Sequence, residues 1–298
     1  MSNMTSIDIK GLHDVANGQQ LATAIEARLR VAPVAGSPAQ MRARFALLVG
    51  PGPRGARSII GGVPCVRHGH GAPVVWLHGG GYVFGGPHTH ARAAHALSRA
   101  SGCAVYVPDY RLAPEHPWPA PLQDACAVVD ALPGPVALVG DSAGGHLAIA
   151  VARRRPGQVR ALALISPNTD RTGRSWTRAA NSDRDLMNSD ADDAHLAQMA
   201  MPDLAPDDPD ASPILADLSI LPRTFVTVSP HEVLFGDSVL LMQALAHAGH
   251  VVSADVPGGV WHLWPLWPGR LRQANETMQR ISAFVTAPQG GWPGGTPA

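Results

Sequence analysis

Apolar residues gather along this chain in short unbroken runs, separated by longer stretches in which they recur every three or four positions. The runs Pro73–Leu77, Ala104–Pro108, Pro135–Val139, Ala161–Ile165, Arg223–Val228 and Val251–Val256 have few polar interruptions, the pattern of strands buried on both faces. Between or after them, Thr89–Ala100, Ala120–Leu132, Gly144–Arg155, Asp237–Ala248 and Leu271–Thr286 carry the helical period. Strands alternating with amphipathic helices predict an α/β fold with a mostly parallel central sheet flanked by helices. Little β pattern precedes Pro73, so the first strands look shortened. Two helical stretches, Gln19–Val31 and Pro38–Leu48, come before the sheet, and Thr169–Asp210 interrupts the alternation with polar loops and a helix predicted around Leu186–Met201. These irregular parts read either as surface decoration or as a helical cap over a site.

The junction of Pro135–Val139 with the following helix is spelled Gly140-Asp141-Ser142-Ala143-Gly144. A serine on a sharp strand-to-helix turn sits at strained backbone angles, and glycines two residues to either side let strand and helix pass closely. The hydroxyl then projects toward a base, and the Ala143 amide lies at a helix N-terminus, where developing negative charge is favoured. In so glycine-rich a chain the five-residue pattern is weak by itself; its place between a strand and a helix gives it weight.

A second junction strengthens it. Pro73–Leu77 runs into His78-Gly79-Gly80-Gly81-Tyr82, where successive glycines allow backbone amides to turn inward and donate to an oxyanion. A base and an orienting acid are expected later, in the order acid then histidine, on loops after later strands. His262 follows the strand run ending at Val256. Glu232 lies early in the loop after Arg223–Val228, whereas Asp237 stands where the next helix begins, a position suited to an N-cap or first-turn role. Glu232 is the favoured acid, Asp237 a minor candidate, and Asp255 lies within a predicted strand.

Together these segments resemble the hormone-sensitive-lipase-like branch of the α/β-hydrolases, a family of microbial carboxylesterases and lipases. The resemblance runs over about Gly62–Val285. It is carried by His78-Gly79-Gly80-Gly81, by Asp109-Tyr110-Arg111-Leu112-Ala113-Pro114-Glu115-His116-Pro117-Trp118-Pro119-Ala120, by Gly140–Gly145, by Ser212-Pro213, by Glu232-Val233-Leu234 and by Gly259-Val260-Trp261-His262. It implies an α/β-hydrolase fold with a helical cap, a Ser142–Glu232–His262 triad, and an oxyanion hole formed by the amides of Gly80, Gly81 and Ala143. Most of the family has aspartate at the Glu232 position, and Gly236 stands where the glutamate-bearing subset often has an acidic residue. The implied activity is hydrolysis of short- to medium-chain carboxylic esters through an acyl-enzyme, with no cofactor. Alternatives on the same triad are a lactone hydrolase, an amidase or N-acyl deacylase, and an acyltransferase; a non-catalytic small-ligand receptor is the alternative of another class. Hydride transfer is disfavoured because no dinucleotide fingerprint is present, and haloalkane cleavage because the elbow nucleophile is serine rather than aspartate.

The expected division is an N-terminal cap segment over residues 1–52, a catalytic domain over 53–286 with a cap insertion at about 169–210, and a glycine- and proline-rich tail at 287–298, expected to be disordered. With 23 basic and 23 acidic residues, the chain has no net charge to draw it to nucleic acid. No apolar stretch approaches the roughly 18 residues of a membrane span, and the first ten residues lack the basic start and apolar core of a signal peptide. Cys65, Cys103 and Cys126 are odd in number and set among apolar neighbours, as buried reduced thiols would be. A cytoplasmic enzyme acting on a small-molecule ester is the expectation.

Other polar groupings have plainer readings. His88, His90 and His95, or Cys65, His68 and His70, lack the spacing of a structural zinc site. Asp190, Asp192 and Asp193 read as a helix start or a solvated face. Arg111 and Glu115 read as an ion pair holding the proline-rich turn. Trp261 and Tyr82, beside the candidate base and in the glycine loop, are candidates for substrate contact. The stretch Trp264–Trp267 fits core packing or a contact between copies in an oligomer.

Overall fold

The computed structural model describes residues 18–288; the expected disordered tail, Gln289–Ala298, and the first 17 residues of the 1–52 segment lie outside the described residues. Eight strands form one sheet in the order β1-β2-β4-β3-β5-β6-β7-β8: β1 Ala56–Ile60, β2 Val63–His68, β3 Pro73–Leu77, β4 Ala104–Pro108, β5 Val136–Asp141, β6 Val159–Ile165, β7 Thr224–Thr227 and β8 Val252–Asp255. From β4 to β8 all neighbours are parallel, whereas β1 and β2 pair antiparallel with each other and β2 antiparallel with β4. The sequence gives little sign of β1 and β2, yet they form a regular hairpin. Exposed positions in both strands, and Pro64 and Arg67 in β2, break the continuous apolar signal that marks the interior strands.

The centre of the sheet follows directly from composition. Every residue of β5 is buried, as are four of five in β3 and six of seven in β6, so their valine, leucine and alanine runs are packed from both sides. The helices between strands are α3 Pro87–Ser101, α4 Ala120–Ala131, α5 Ala143–Arg154 and α8 Phe235–His247, with α9 Arg272–Thr286 closing the fold. Right-handed crossovers put α3, which leads leftward from β3 to β4, on one face and α4, α5 and α8 on the other. Helix α9 packs against α3.

Because β3 has β4 on one side and β5 on the other, the chain reverses its winding there. In sheets of this kind the crevice beyond the carboxyl ends of the strands at such a reversal is where a ligand sits. Leu77 pairs with Gly140, so His78 and Asp141 leave the sheet side by side. The glycine loop and the serine turn are therefore neighbours by register.

Two further groups of helices stand outside the strand–helix alternation, and one helix of each group reaches the cavity at this edge. Helices α1 Gly18–Val31 and α2 Pro38–Val49 precede the sheet; α2 starts with a capping box in which Ser37 and Gln40 satisfy each other's backbone N–H groups. After β6 come α6 Thr177–Asn181 and α7 Asp190–Ala200, the latter capped by Ser189. The helix predicted at Leu186–Met201 is thus shorter, because Ser189 starts it.

Packing corrects one of the sequence readings and decides two others between their alternatives. Arg111 pairs with Asp124 at 2.8 Å and Glu115 with Arg42 at 2.6 Å, not with each other; Arg42 also donates to the Val83 and Ala113 carbonyls, tying α2 to the loop after β3. Asp190, Asp192 and Asp193 lie in the first turn of α7, the helix start that is one of the two readings, but Asp193 is buried rather than solvated, bound by Arg171 and Arg178. Trp264 and Trp267 are fully buried within the chain, which makes them core.

Candidate active site

Ser142 occupies the turn from β5 to α5 with φ 54° and ψ −122°, a strained conformation for a residue with a side chain. Its N–H donates to the Ile165 carbonyl at 2.9 Å, fixing the turn to β6. The flanking glycines are required by contact: a Cβ on Gly144 would stand 2.0 Å from the Leu77 oxygen, and one on Gly140 2.3 Å from the Gly144 oxygen. Strand, turn and helix can cross only without those atoms.

The residue between glycine and serine also matters. Asp141 is buried, and its carboxylate accepts from Trp76 Nε1 at 2.7 Å, Gly79 N at 2.9 Å and His90 Nε2 at 3.1 Å. Burial opposes the charge, but His90 and these donors outweigh it and hold the carboxyl below its usual range. The serine turn and the glycine loop are therefore joined through one carboxylate, a link that the sequence reading did not identify. His90, from the histidine grouping weighed for a metal, is the basic partner of this acid, while His68 lies beside His95 with ring centres 6.0 Å apart.

In the loop itself Gly80 has φ 115° and Gly81 φ 59°, conformations that favour glycine. The Gly80 carbonyl turns back to accept from Val83 and Phe84. No described residue accepts from the N–H groups of Gly80, Gly81 or Ala143, the last being the first residue of α5, whose amide has no intrahelical acceptor.

His262 and Glu232 come together from the loops after β8 and β7. His262 Nδ1 donates to Glu232 Oε2 at 2.6 Å, and both side chains are buried. The other carboxylate oxygen, Oε1, accepts from Ser229 N at 2.6 Å, and Ser229 Oγ donates to the Val260 carbonyl at 2.9 Å. The acid is thus fixed by its own loop, which is in turn fixed to the histidine's. Leu263, next to the histidine, turns the chain at φ 66°. Burial pushes the imidazole toward neutrality, yet the Glu232 hydrogen bond and the charges of Glu232, Asp185 and Asp141 together outweigh it and raise the pKa to about 9.

Ser142, His262, Gly80 and Gly81 line one cavity of about 90 Å³, closed by Met41 and Phe45 of α2, by Phe84, and by Met187 and Leu196 from the 169–210 segment. A Cβ on Gly81 would lie 2.6 Å from Leu196 Cδ1, so α7 rests directly on the glycine loop. A larger hollow of about 510 Å³ between Arg171, Arg178 and α7 shares only Asp193 with this cavity and reaches neither Ser142 nor His262. The pairing around Ser142 marks the smaller one as the candidate site.

Two candidates for substrate contact are not part of its lining. Tyr82 leaves its turn at φ 63° and points beneath the loop, where its hydroxyl shares a 2.6 Å hydrogen bond with His146 Nδ1 and its ring meets Trp118. Trp261 is buried against Trp267, ring centres 5.8 Å apart. Conversely, Met41, Phe45 and Leu196 carry no local sequence signal for a cavity, because they arrive from elements distant in the chain.

Asp237 is held elsewhere. Its carboxylate accepts from Thr169 N and Asp170 N, both at 2.9 Å, and from Arg178 Nη2 at 2.8 Å and Nε at 3.1 Å. None of the described hydrogen bonds of this side chain is to His262. Among the described residues, Asp185, Glu232 and His262 are the one grouping whose ligand atoms lie close enough to share a cation, within 4.8 Å of one another. The histidine nitrogen facing the acids is already bonded to Glu232, so the group is an ion pair in form.

The family model described as the alpha/beta hydrolase fold matches residues 74–266. An acetyl-hydrolase of Streptomyces hygroscopicus is 33% identical over 230 residues, covering 74% of this chain and 77% of its own length. An esterase of Acinetobacter venetianus is 30% identical over 222 residues, 71% of this chain and 73% of its own. Among solved structures, an esterase of the bacterial hormone-sensitive lipase family superposes with a TM-score of 0.83 at 28% identity, covering 91% of this chain and 98% of that one. In sequence, in strand order and in the turn that carries Ser142, the chain belongs to the α/β-hydrolases, in their hormone-sensitive-lipase-like branch.

Proposed function

We infer that this chain is a serine carboxylesterase in which Ser142 is the nucleophile, His262 the base and Glu232 the acid that orients it. The observation that carries the reading is the 2.6 Å His262–Glu232 bond facing the same small cavity as Ser142 and the glycine loop. His262 takes the proton of Ser142 as its oxygen attacks the ester carbonyl. The amides of Gly80, Gly81 and Ala143 receive the tetrahedral oxyanion. His262 then protonates the leaving alcohol, and water activated by the same imidazole releases the acid from the acyl-enzyme. Glu232 holds the tautomer with the proton on Nδ1, leaving Nε2 free to accept.

In this proposal α1 and α2 and the 169–210 segment form the cap, which walls the acyl site with Met41, Phe45, Met187 and Leu196. A cavity of about 90 Å³ favours small acyl groups, and the names of the relatives, acetyl-hydrolase and esterase, agree with a small ester as substrate. No helix among the described residues is long and apolar enough to cross a membrane. The three buried, unpaired cysteines support a reducing compartment, the cytoplasm.

The test is turnover of p-nitrophenyl acetate, butyrate and octanoate by wild type and Ser142→Ala. Loss of roughly 10⁴-fold or more in kcat with the fold intact is expected. Near-normal turnover by the purified variant would overturn the assignment.

A further inference from the structure

We propose that Asp185 is a second carboxylate of this active site, a positioning residue that acts through His262 by helping Glu232 to hold the imidazolium charge. The proposal rests on the triad reading above. Asp185 sits in the loop between α6 and α7, 9% exposed, and its carboxylate, that of Glu232 and a ring nitrogen of His262 lie within 4.8 Å of one another. Its two oxygens also accept backbone amides on either side, Oδ1 from Met187 N at 3.1 Å and Oδ2 from Val233 N at 3.0 Å. Met187 lines the cavity and Val233 follows Glu232, so this side chain joins the acyl wall to the acid loop.

Two carboxylates set this close in a buried site repel each other unless a cation faces both. His262 must be neutral to act as base, and in that competent form it becomes the cation only when it takes the proton of Ser142. The repulsion is therefore present in the form with neutral His262 and relieved as the tetrahedral intermediate forms, which lowers the barrier from that form rather than tightening binding. Burial, with the Glu232 charge adding to it against the pull of His262, pushes the Asp185 carboxyl up to about 6, as expected for an acid waiting on a partner. The charged groups facing the imidazole are Glu232 from the loop after β7, Asp185 from the cap and Asp141 from β5. Asp193 of α7 is neutralised by Arg171 and Arg178.

The experiment is the pH profile of kcat/KM on p-nitrophenyl butyrate for wild type, Asp185→Asn and Asp185→Thr, with Ser142→Ala as control. Both uncharged variants keep one oxygen for the Val233 or Met187 amide. The expected result is a downward move of the acidic limb by about one pH unit, with the plateau kcat falling roughly tenfold. A fall in kcat with the acidic limb unmoved would make Asp185 a loop anchor only and overturn the proposal, as would loss of the folded state in both variants. Turnover by Ser142→Ala would instead overturn the triad reading itself, which separates the two failures.

Discussion

Arg178 is the sharpest place to test how the 169–210 segment is held. Its guanidinium is 9% exposed and donates to Asp193 Oδ2 at 2.6 Å, to Asp237 at 2.8 and 3.1 Å, and to Asn168 Oδ1 at 3.0 Å. Burial opposes its charge, but Asp237 and Asp193 outweigh it and raise its pKa further above the ordinary arginine range. For the acids the balance differs: burial wins at Asp237 and pushes it up, whereas Arg171 and Arg178 hold Asp193 down. Replacing Arg178 by methionine keeps the aliphatic bulk and leaves two buried carboxylates short of a cation. Breaking a buried pair from one side costs about 3–5 kcal/mol. Here the lower end applies, since Asp193 keeps Arg171 and the Asn168 amide, and Asp237 keeps two backbone amides. At roughly 2–4 °C per kcal/mol, Arg178→Met should melt roughly 6–12 °C below wild type at neutral pH. Tryptophan fluorescence or calorimetry reads this directly. In the variant Asp193 is no longer held down as strongly, so the deficit should narrow as the pH falls and the stranded carboxylates protonate. Arg178→Lys, a point charge that cannot span both acids, should lie in between. A melting point for Arg178→Met within about 2 °C of wild type at neutral pH would refute the argument that this arginine neutralises the buried acids Asp193 and Asp237.

The remaining predictions concern the site. Leu196→Ala removes the side chain resting on Gly81 and should raise the ratio of octanoate to acetate turnover, read as kcat/KM; an unchanged ratio would mean that α7 does not set acyl length. His262 has its pKa raised from 6.5 to about 9 and must be neutral to act as base, so kcat/KM should climb through an acidic limb displaced above 6.5. The same shift sets the sign for stability: the contribution of His262 is fully present below pH 6.5 and is lost as the pH rises toward about 9. Melting curves of wild type and His262→Gln should therefore converge at the alkaline end.

Much of this was legible because the relevant signals are local. The serine turn needs glycines at fixed offsets, and the register that sets it beside the glycine loop follows from strands that are buried along nearly their whole length. The order of strands and helices likewise placed His262 and Glu232 on successive loops after β8 and β7. What could not be read depends on contacts between distant segments. The hairpin of β1 and β2 is partly exposed, so it lacks the apolar run that marks the interior strands. Three aspartates at a helix start look solvated until Arg171 and Arg178 are brought onto Asp193. Tyr82 and Trp261 have the right neighbours in sequence, but their side chains pack into the core. Asp185 stands in a polar loop that nothing local connects with His262.

The hydrogen bonds between the 169–210 segment and the loop carrying Glu232 bear on how such enzymes can be recombined. Asn181 Nδ2 donates to the Pro230 and Glu232 carbonyls, Thr177 Oγ1 to that of Val233, and the Gly236 amide returns to Thr177. With Asp185 on the Val233 amide, the segment proposed to shape the acyl pocket also holds the backbone of Glu232, the proposed orienting acid. A chimera that grafts a relative's 169–210 region alone would replace these donors and leave the acid loop held by its own bonds and the link from Ser229 to Val260. On the proposed assignment, substrate range and triad geometry are inherited as one block, and a graft should carry residues 229–237 with it.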